Sequence, residues 1–143
     1  MGTILDAFSK EDRTEITYLK ELMKMTTIEY LEQIKDIDLR IRSLEGELHD
    51  AEWEVDKKYQ EELIGRIKAD IDKQKRIRLT IRQQIQELGD NRSIVLLTEY
   101  YVRGRSWEQV ADALGMRSVK HVREGMHARA ISLFGKKYCE NYL

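Results

Sequence analysis

Apolar residues recur every three or four positions from residue 34 onward, which predicts a long amphipathic helix. The recurring positions alternate between spacings of three and four: Ile34, Ile37, Ile41, Leu44, Leu48, Ala51 and Val55. This is a heptad seam, and its period of about 3.5 residues predicts a left-handed coil against a partner helix. A capping-box pattern at Thr26 and Glu29 predicts that the helix begins near Thr27. The partner helix can come from this chain or from a second copy, and the second case would make a homodimer through the coil.

A second helical stretch follows a change of phase at residues 56–61. Its expected inward positions are Ile64, Ile67, Ile71, Gln74, Arg78, Ile81, Ile85 and Leu88. The two stretches have similar lengths, which favours a helical hairpin in which each seam covers the other, with a kink as the alternative. Polar residues at core positions, such as Gln74 and Arg78, can fix register or reach solvent at the helix edge. Trp53 lies off the seam, which indicates contact with a third helix or another subunit.

A different pattern begins after Gly89-Asp90-Asn91, the clearest break in the chain. Glycine is common just beyond a helix end, and Asp and Asn are good N-caps. Three short helices are expected after it: one over residues 93–102, one from a Ser106–Gln109 capping box to residue 114, and one capped by Ser118. Their predicted inner positions are Val95, Leu96, Tyr100, Trp107, Val110, Ala111, Leu114, Val119, Val122, Met126, Ala130 and Leu133.

These patterns together predict an all-α protein in three parts. The parts are an N-terminal helical segment (residues 1–26), a coiled-coil helical hairpin arm (27–89) and a C-terminal three-helix head (90–143). The absence of proline supports long helices, because proline inside a helix costs about 3 kcal/mol. A content of 36% charged and 41% hydrophobic residues also favours amphipathic helices over sheet.

The head has the sequence pattern of a helix-turn-helix, in which a glycine-containing turn joins two short helices and the second is basic. The candidate DNA-binding residues are Arg103, Arg105, Arg117, Ser118, Lys120, His121, Arg123, Glu124 and His127. Helical spacing places four of these residues on one outward face, where they could contact bases in a major groove: Lys120, Arg123, Glu124 and His127. Arg117 and Ser118 stand at the start of the third helix, where backbone amides favour a phosphate. Arg103 and Arg105 flank the second helix and could hold the opposite backbone edge.

The distribution of charge supports a polyanionic partner. Residues 1–62 contain 9 Lys and Arg against 17 Asp and Glu, whereas residues 63–143 contain 16 against 9. A basic half suits DNA, because each phosphate contact releases condensed counterions. The alternative is that two helices of opposite charge attract each other within a hairpin.

Other classes of function find little support in the sequence. Cys139 is the single cysteine, and the spacing of His49, His121 and His127 does not form a metal-binding motif. No nucleophile is grouped with an oriented base, so we expect neither an enzyme nor a bound cofactor or metal. No secretory leader and no apolar run of about 18 residues is present, so a cytoplasmic protein that does not cross a membrane is expected.

Residues 101–111, Tyr-Val-Arg-Gly-Arg-Ser-Trp-Glu-Gln-Val-Ala, with Leu114-Gly115 after them, resemble the Y-x-x-G-x-S-W-x-x-V/I-A … L/M-G core of sigma-factor-like helix-turn-helix domains. Residues 127–131, His-Ala-Arg-Ala-Ile, resemble the H-x-R-A-L ending of phage-encoded regulators of the ArpU and RinA kind. Residues 30–38 resemble the helical arm of those regulators. The segment between Gly115 and His127 is longer than the family pattern, so the turn or the phase of the third helix should differ.

The resemblance implies a sequence-specific, DNA-binding transcriptional regulator of prophage or mobile-element genes in the cytoplasm of a bacterial host. Double-stranded DNA and RNA polymerase would be its partners. Two alternatives stay open. One is a phage small packaging (terminase-like) subunit that recognises DNA, and the other is a helical protein-interaction module that does not bind DNA.

Overall fold

The computed structural model describes residues 26–139, and all regular structure in this range is helical. The helices are α1 (Thr27–Ala51), α2 (Lys57–Gln86), α3 (Asn91–Leu97), α4 (Trp107–Ala113), α5 (Val119–His121) and α6 (His127–Tyr138). A π-helical turn, Thr98–Val102, extends α3, and a second, Val122–Met126, joins α5 to α6. Residues 119–138 are thus one continuous helix, named the C-terminal helix below. The all-α prediction is confirmed, whereas the predicted helical segment before residue 26 lies outside the described residues.

α1 and α2 form an antiparallel hairpin, as the contacts between them show. Tyr30 contacts Gln84, Asp38 contacts Arg78, and the Gln60 side chain reaches the carbonyl of Ala51, so residue numbers rise on one helix as they fall on the other. The partner of the α1 seam therefore belongs to the same chain. The hairpin prediction is confirmed, and the kinked single helix is excluded.

The turn between the two helices, residues 52–56, contains neither glycine nor proline and is held by side chains. The Asp56 carboxylate accepts a hydrogen bond from the amide of Tyr59 at 3.1 Å, which caps the first turn of α2. The Gln60 amide donates to the carbonyls of Ala51 and Glu52, each at 3.1 Å, and so satisfies the end of α1. This turn is therefore stabilised without glycine, because side chains cap the end of α1 and the start of α2.

The seam is buried largely as the periodicity predicts, with two differences. Val55 was expected in the seam, but α1 ends at Ala51 and Val55 is 94% exposed in the turn. Ile77 is fully buried although it lies outside the predicted frame. Around Ile77 the buried positions of α2 are therefore one residue earlier than predicted. Arg78 lies at the edge of the seam, where its guanidinium is 2.6 Å from the carboxylate of Asp38.

The base of the hairpin and the following residues share one hydrophobic core, with Tyr30 of α1 at its centre. The Tyr30 side chain is 0% exposed, its hydroxyl donates to the Gln84 side-chain oxygen at 2.6 Å, and its ring centre is 5.8 Å from that of Phe134 in α6. Leu96 and Val122 belong to the same cluster. A smaller second core, formed by Leu44, Ala51, Ile67 and Ile71, stabilises the outer half of the hairpin.

The two π-helical turns decide which residues of the head face this core. Buried positions recur at intervals of four or eight along both helices: Ser93, Leu97 and Tyr101 in the first, and Val122, Ala130 and Phe134 in the second. An α-helix has 3.6 residues per turn, so a spacing of four drifts by about 40° at each step. A π-helical turn contains more residues and corrects that drift.

Two predicted core positions, Val95 and Leu133, are only partly buried and lie outside the core cluster, whereas Leu97 and Phe134 are in it. Tyr100 is partly buried and packs against that cluster, and Tyr101 is buried within it. Sequence periodicity assumed regular α-helix, which places the buried face about one residue away from where it lies. Within the described residues, no helix combines the length and the apolar character that a membrane crossing requires.

We expect Tyr30→Phe to lower the free energy of unfolding by roughly 1–3 kcal/mol, because it leaves the buried Gln84 oxygen without its donor. Urea unfolding followed by circular dichroism measures this change. Tyr59→Phe removes the same hydroxyl from an exposed ring and should leave the midpoint unchanged. Equal midpoints for the two variants would show that the buried hydrogen bond does not stabilise the fold.

Candidate nucleic-acid interface

A turn between α4 and the C-terminal helix brings two short helical segments together, and local capping fixes both. The Ser106 hydroxyl accepts from the amide of Gln109 at 3.2 Å, and the Gln109 side chain accepts from the amide of Ser106 at 3.0 Å. This reciprocal capping box begins α4 as predicted. Gly115 follows α4 with a φ of 67°, a left-handed conformation that favours glycine. The Ser118 hydroxyl then accepts from the amide of His121 at 3.1 Å and begins the C-terminal helix.

The inner sides of these segments are apolar. Val110 and Ala111 of α4 and Val122 of the C-terminal helix are buried in the common core. The small side chain of Ala111 allows close packing at this point. The two segments are therefore held against each other and against the base of the hairpin, and their outer sides remain free.

The outer side of the C-terminal helix carries most of the predicted site. Six predicted residues are exposed there or just before it: Arg117, Ser118, Lys120, His121, Arg123 and Glu124. Among residues 26–139, the cations Arg117, Lys120 and Arg123 form no ion pair. We name these six residues the cationic face. It offers three positive charges without ion pairs, and one carboxylate, that of Glu124, near the beginning of a long helix.

His127 does not lie on this face, and its predicted outward position is wrong. Its Nε2 atom is 2.7 Å from the Tyr101 hydroxyl, and its ring stacks on that of Tyr101 and meets the edge of Trp107 at 5.0 Å. The π-helical turn before His127 delays the rotation of the helix and brings this residue inward. Burial lowers the pKa of His127.

Arg103 and Arg105 are also separate from the cationic face. Both pair with Glu99, Arg103 at 2.9 Å and Arg105 at 3.7 Å. They line a groove of about 980 Å³ between α1 and residues 100–109, which contains Glu32 and Asp36 as well. Neighbouring carboxylates thus neutralise much of the charge that these two arginines could offer to a phosphate.

Two arginines that the sequence patterns do not single out lie close to the cationic face. Arg92 and Arg129 line a cleft of about 450 Å³ between α3 and the C-terminal helix, together with Leu96, His121 and Met126. Arg129 lies 3.7 Å from the Asp90 carboxylate. A hydrogen bond from the Ser93 hydroxyl lowers the pKa of Asp90. The spacing of four between residues 121, 125 and 129 is the sequence signal that could have indicated that Arg129 lies on the same side of the helix as His121.

Groups that could support catalysis are dispersed. His49 lies in the last turn of α1, far along the chain from His121 and His127, and no cluster of three metal-ligating side chains occurs within residues 26–139. The thiol of Cys139 is buried, and burial raises its pKa, which disfavours the reactive thiolate.

Comparisons of this chain with family models, with curated proteins and with solved structures give no match. No likeness to a characterised protein therefore assigns a role to the cationic face, and its chemistry has to be inferred from its own residues.

The stability of the head should decrease when the pH falls below about 6.5, the ordinary pKa of histidine. The folded state holds His127 neutral and has a lowered pKa, so the unfolded chain binds more protons in this range. Thermal unfolding between pH 7.5 and 5.5 measures the effect. We expect His127→Gln to flatten this pH dependence.

His121→Gln is the matched control, because His121 is exposed. It should keep the pH dependence of the unchanged protein. If His127→Gln kept it too, the titration would have to come from other groups.

Proposed function

We propose that this protein binds double-stranded DNA through a helix-turn-helix formed by α4, the turn at Gly115 and the first half of the C-terminal helix. The observation that carries the proposal is the cationic face, where three exposed cations without ion-pair partners stand at the start of a helix fixed by caps. A helix of this kind fits the major groove, which is about 12 Å wide.

The residues of the face suit different parts of a DNA duplex. Arg117 and Ser118 precede the helix, where free backbone amides and the helix dipole attract a phosphate. Lys120 and Arg123 lie within the helix and can donate to guanine O6 and N7, the commonest specific contact of such side chains. Glu124 could accept from a cytosine amino group. The face therefore contains groups for both positioning and base recognition.

The charge of the surrounding structure agrees with this orientation. Residues 90–139 contain nine Lys and Arg against five Asp and Glu. Residues 43–62, at the far end of the hairpin, contain eight Asp and Glu against two Lys. A duplex would attract the first region and repel the second, so the hairpin would project away from bound DNA.

The biological role that we propose is regulation of transcription of prophage or mobile-element genes in the cytoplasm of a bacterial host, by binding rather than catalysis. Its support is the resemblance of residues 101–115 to sigma-factor-like helix-turn-helix domains and of residues 127–131 to phage regulators of the ArpU and RinA kind. The same resemblance makes RNA polymerase a proposed second partner. A likeness of fold or motif alone is an analogy, so direct binding must test it.

The test is selection of bound sequences from a pool of random duplex DNA across a series of salt concentrations. The proposal predicts enrichment of one short motif and an affinity that falls steeply with salt, by about 0.9 in log affinity per log salt for each neutralised phosphate. Binding without enrichment would favour a packaging subunit. No binding at low salt would favour a protein-interaction module.

Arg123→Ala should weaken binding to the selected motif by roughly 1–3 kcal/mol if the guanidinium contacts a base, with unchanged thermal unfolding because the side chain is exposed. Fluorescence anisotropy with a labelled duplex measures the affinity. The control Arg66→Ala removes an equally exposed arginine from α2 and should bind as the unchanged protein does. Full affinity of Arg123→Ala would remove this residue from the contact surface.

A further inference from the structure

The tip of the hairpin exposes large apolar side chains. Trp53 is 79% exposed and Val55 is 94% exposed within the turn of residues 52–56, and Tyr59 in the first turn of α2 is 47% exposed. An exposed tryptophan beside an exposed valine is uncommon on a surface with no partner, since tryptophan is among the most frequent anchors of protein interfaces. We name residues 52–59 the tip.

The tip is also strongly acidic on its α1 side. Six Asp and Glu lie within residues 43–56, and Glu52, Glu54 and Asp56 alternate with the exposed Trp53 and Val55. Lys57 and Lys58 follow in the first turn of α2, so the tip carries three carboxylates and two lysines. A partner for this surface therefore needs an apolar pocket with a cationic rim. A second tip is disfavoured as this partner, because residues 43–62 contain eight Asp and Glu against two Lys and two such surfaces would repel each other.

The cleft between α3 and the C-terminal helix has the required chemistry. Met126 provides partly exposed apolar surface above the fully buried Leu96, and Arg92, Arg129 and His121 provide cationic or ionisable groups beside it. Asp90 neutralises part of the charge of Arg129, but Arg92 forms no ion pair within the described residues. The volume of about 450 Å³ lies in the range of small ligand pockets and can admit an aromatic side chain.

We propose that the tip of one copy of this protein docks into the cleft of a second copy. Trp53 enters the cleft against Met126, and the carboxylates beside it face Arg92 and Arg129. The contact joins two different surfaces, so each molecule keeps a free tip or a free cleft, and association builds open chains or closed rings.

The contact has to be between molecules. α1 contains 25 residues and is about 38 Å long, and its first turns, with Tyr30, lie in the core shared with the head. The tip is at the opposite end of this paired-helix rod, so it cannot reach the cleft of its own chain. The heptad seam is not available for a second copy either, because α2 covers it.

This inference goes beyond the proposed DNA binding and does not depend on it. The first experiment is sedimentation velocity of the full chain without DNA, over a range of protein and salt concentrations. We expect mass to increase with protein concentration and association to weaken as salt rises, because charged groups border the contact.

Two sets of variants separate the two halves of the contact. Trp53→Ala should weaken association at least about tenfold, whereas Leu39→Ala, which removes an apolar side chain 52% exposed elsewhere on α1, should not. Arg92→Glu with Arg129→Glu should abolish association, whereas Lys75→Glu with Arg82→Glu, an equal change of charge on exposed α2 positions, should leave it intact. Circular dichroism checks folding, and Arg92→Glu alone serves if the double change disturbs the head.

Mixing the two defective proteins gives the sharpest test. Trp53→Ala retains an intact cleft, and Arg92→Glu with Arg129→Glu retains an intact tip, so the mixture should form a dimer of one copy of each and nothing larger. A chain that is monomeric at every concentration, association that survives Trp53→Ala or the arginine changes, or a mixture that remains monomeric would each overturn the proposal.

Discussion

The buried junction at Tyr30 connects the two ends of this molecule. Its hydroxyl must keep the hydrogen bond to Gln84, since an unpaired buried oxygen is costly, and this fixes the register of α1 against α2. Its ring packs near Phe134 of α6, so the same residue also positions the C-terminal helix. Tyr30 therefore takes part both in the pairing of the two hairpin helices and in the packing of the C-terminal helix against them.

The two π-helical turns add a second constraint on that face. They keep buried side chains four residues apart on one side of each helix, which places Tyr101 and His127 inside, where they form a hydrogen bond. The same geometry leaves Lys120 and Arg123 on the outside. The separation of packing residues from exposed cations thus depends on the backbone geometry together with the residue types, because an unpaired arginine is costly to bury whereas a neutral histidine can be accommodated.

Sequence alone predicted the features that depend on local signals. The start of α1 at Thr27, the caps at Ser106 and Ser118 and the hairpin itself follow from spacing and capping chemistry. The inward turn of His127 and the burial of Phe134 in place of Leu133 could not be predicted, because they depend on π-helical turns that regular periodicity does not encode. The cleft with Arg92 and Arg129 depends on packing between helices that are distant in sequence.

The segregation of charge gives the molecule two unlike ends, and both proposed interactions use it. His121 belongs to the cationic face and also lines the cleft. A docked tip and a bound duplex would each bring negative charge to this one region, and they would compete for the same space. Because DNA would bind only copies whose cleft is free, DNA binding would shift the equilibrium toward dissociated copies. Self-association would in turn lower the apparent affinity for DNA. Together, the two proposed interactions imply that this protein would release DNA when the concentration of the protein itself rises.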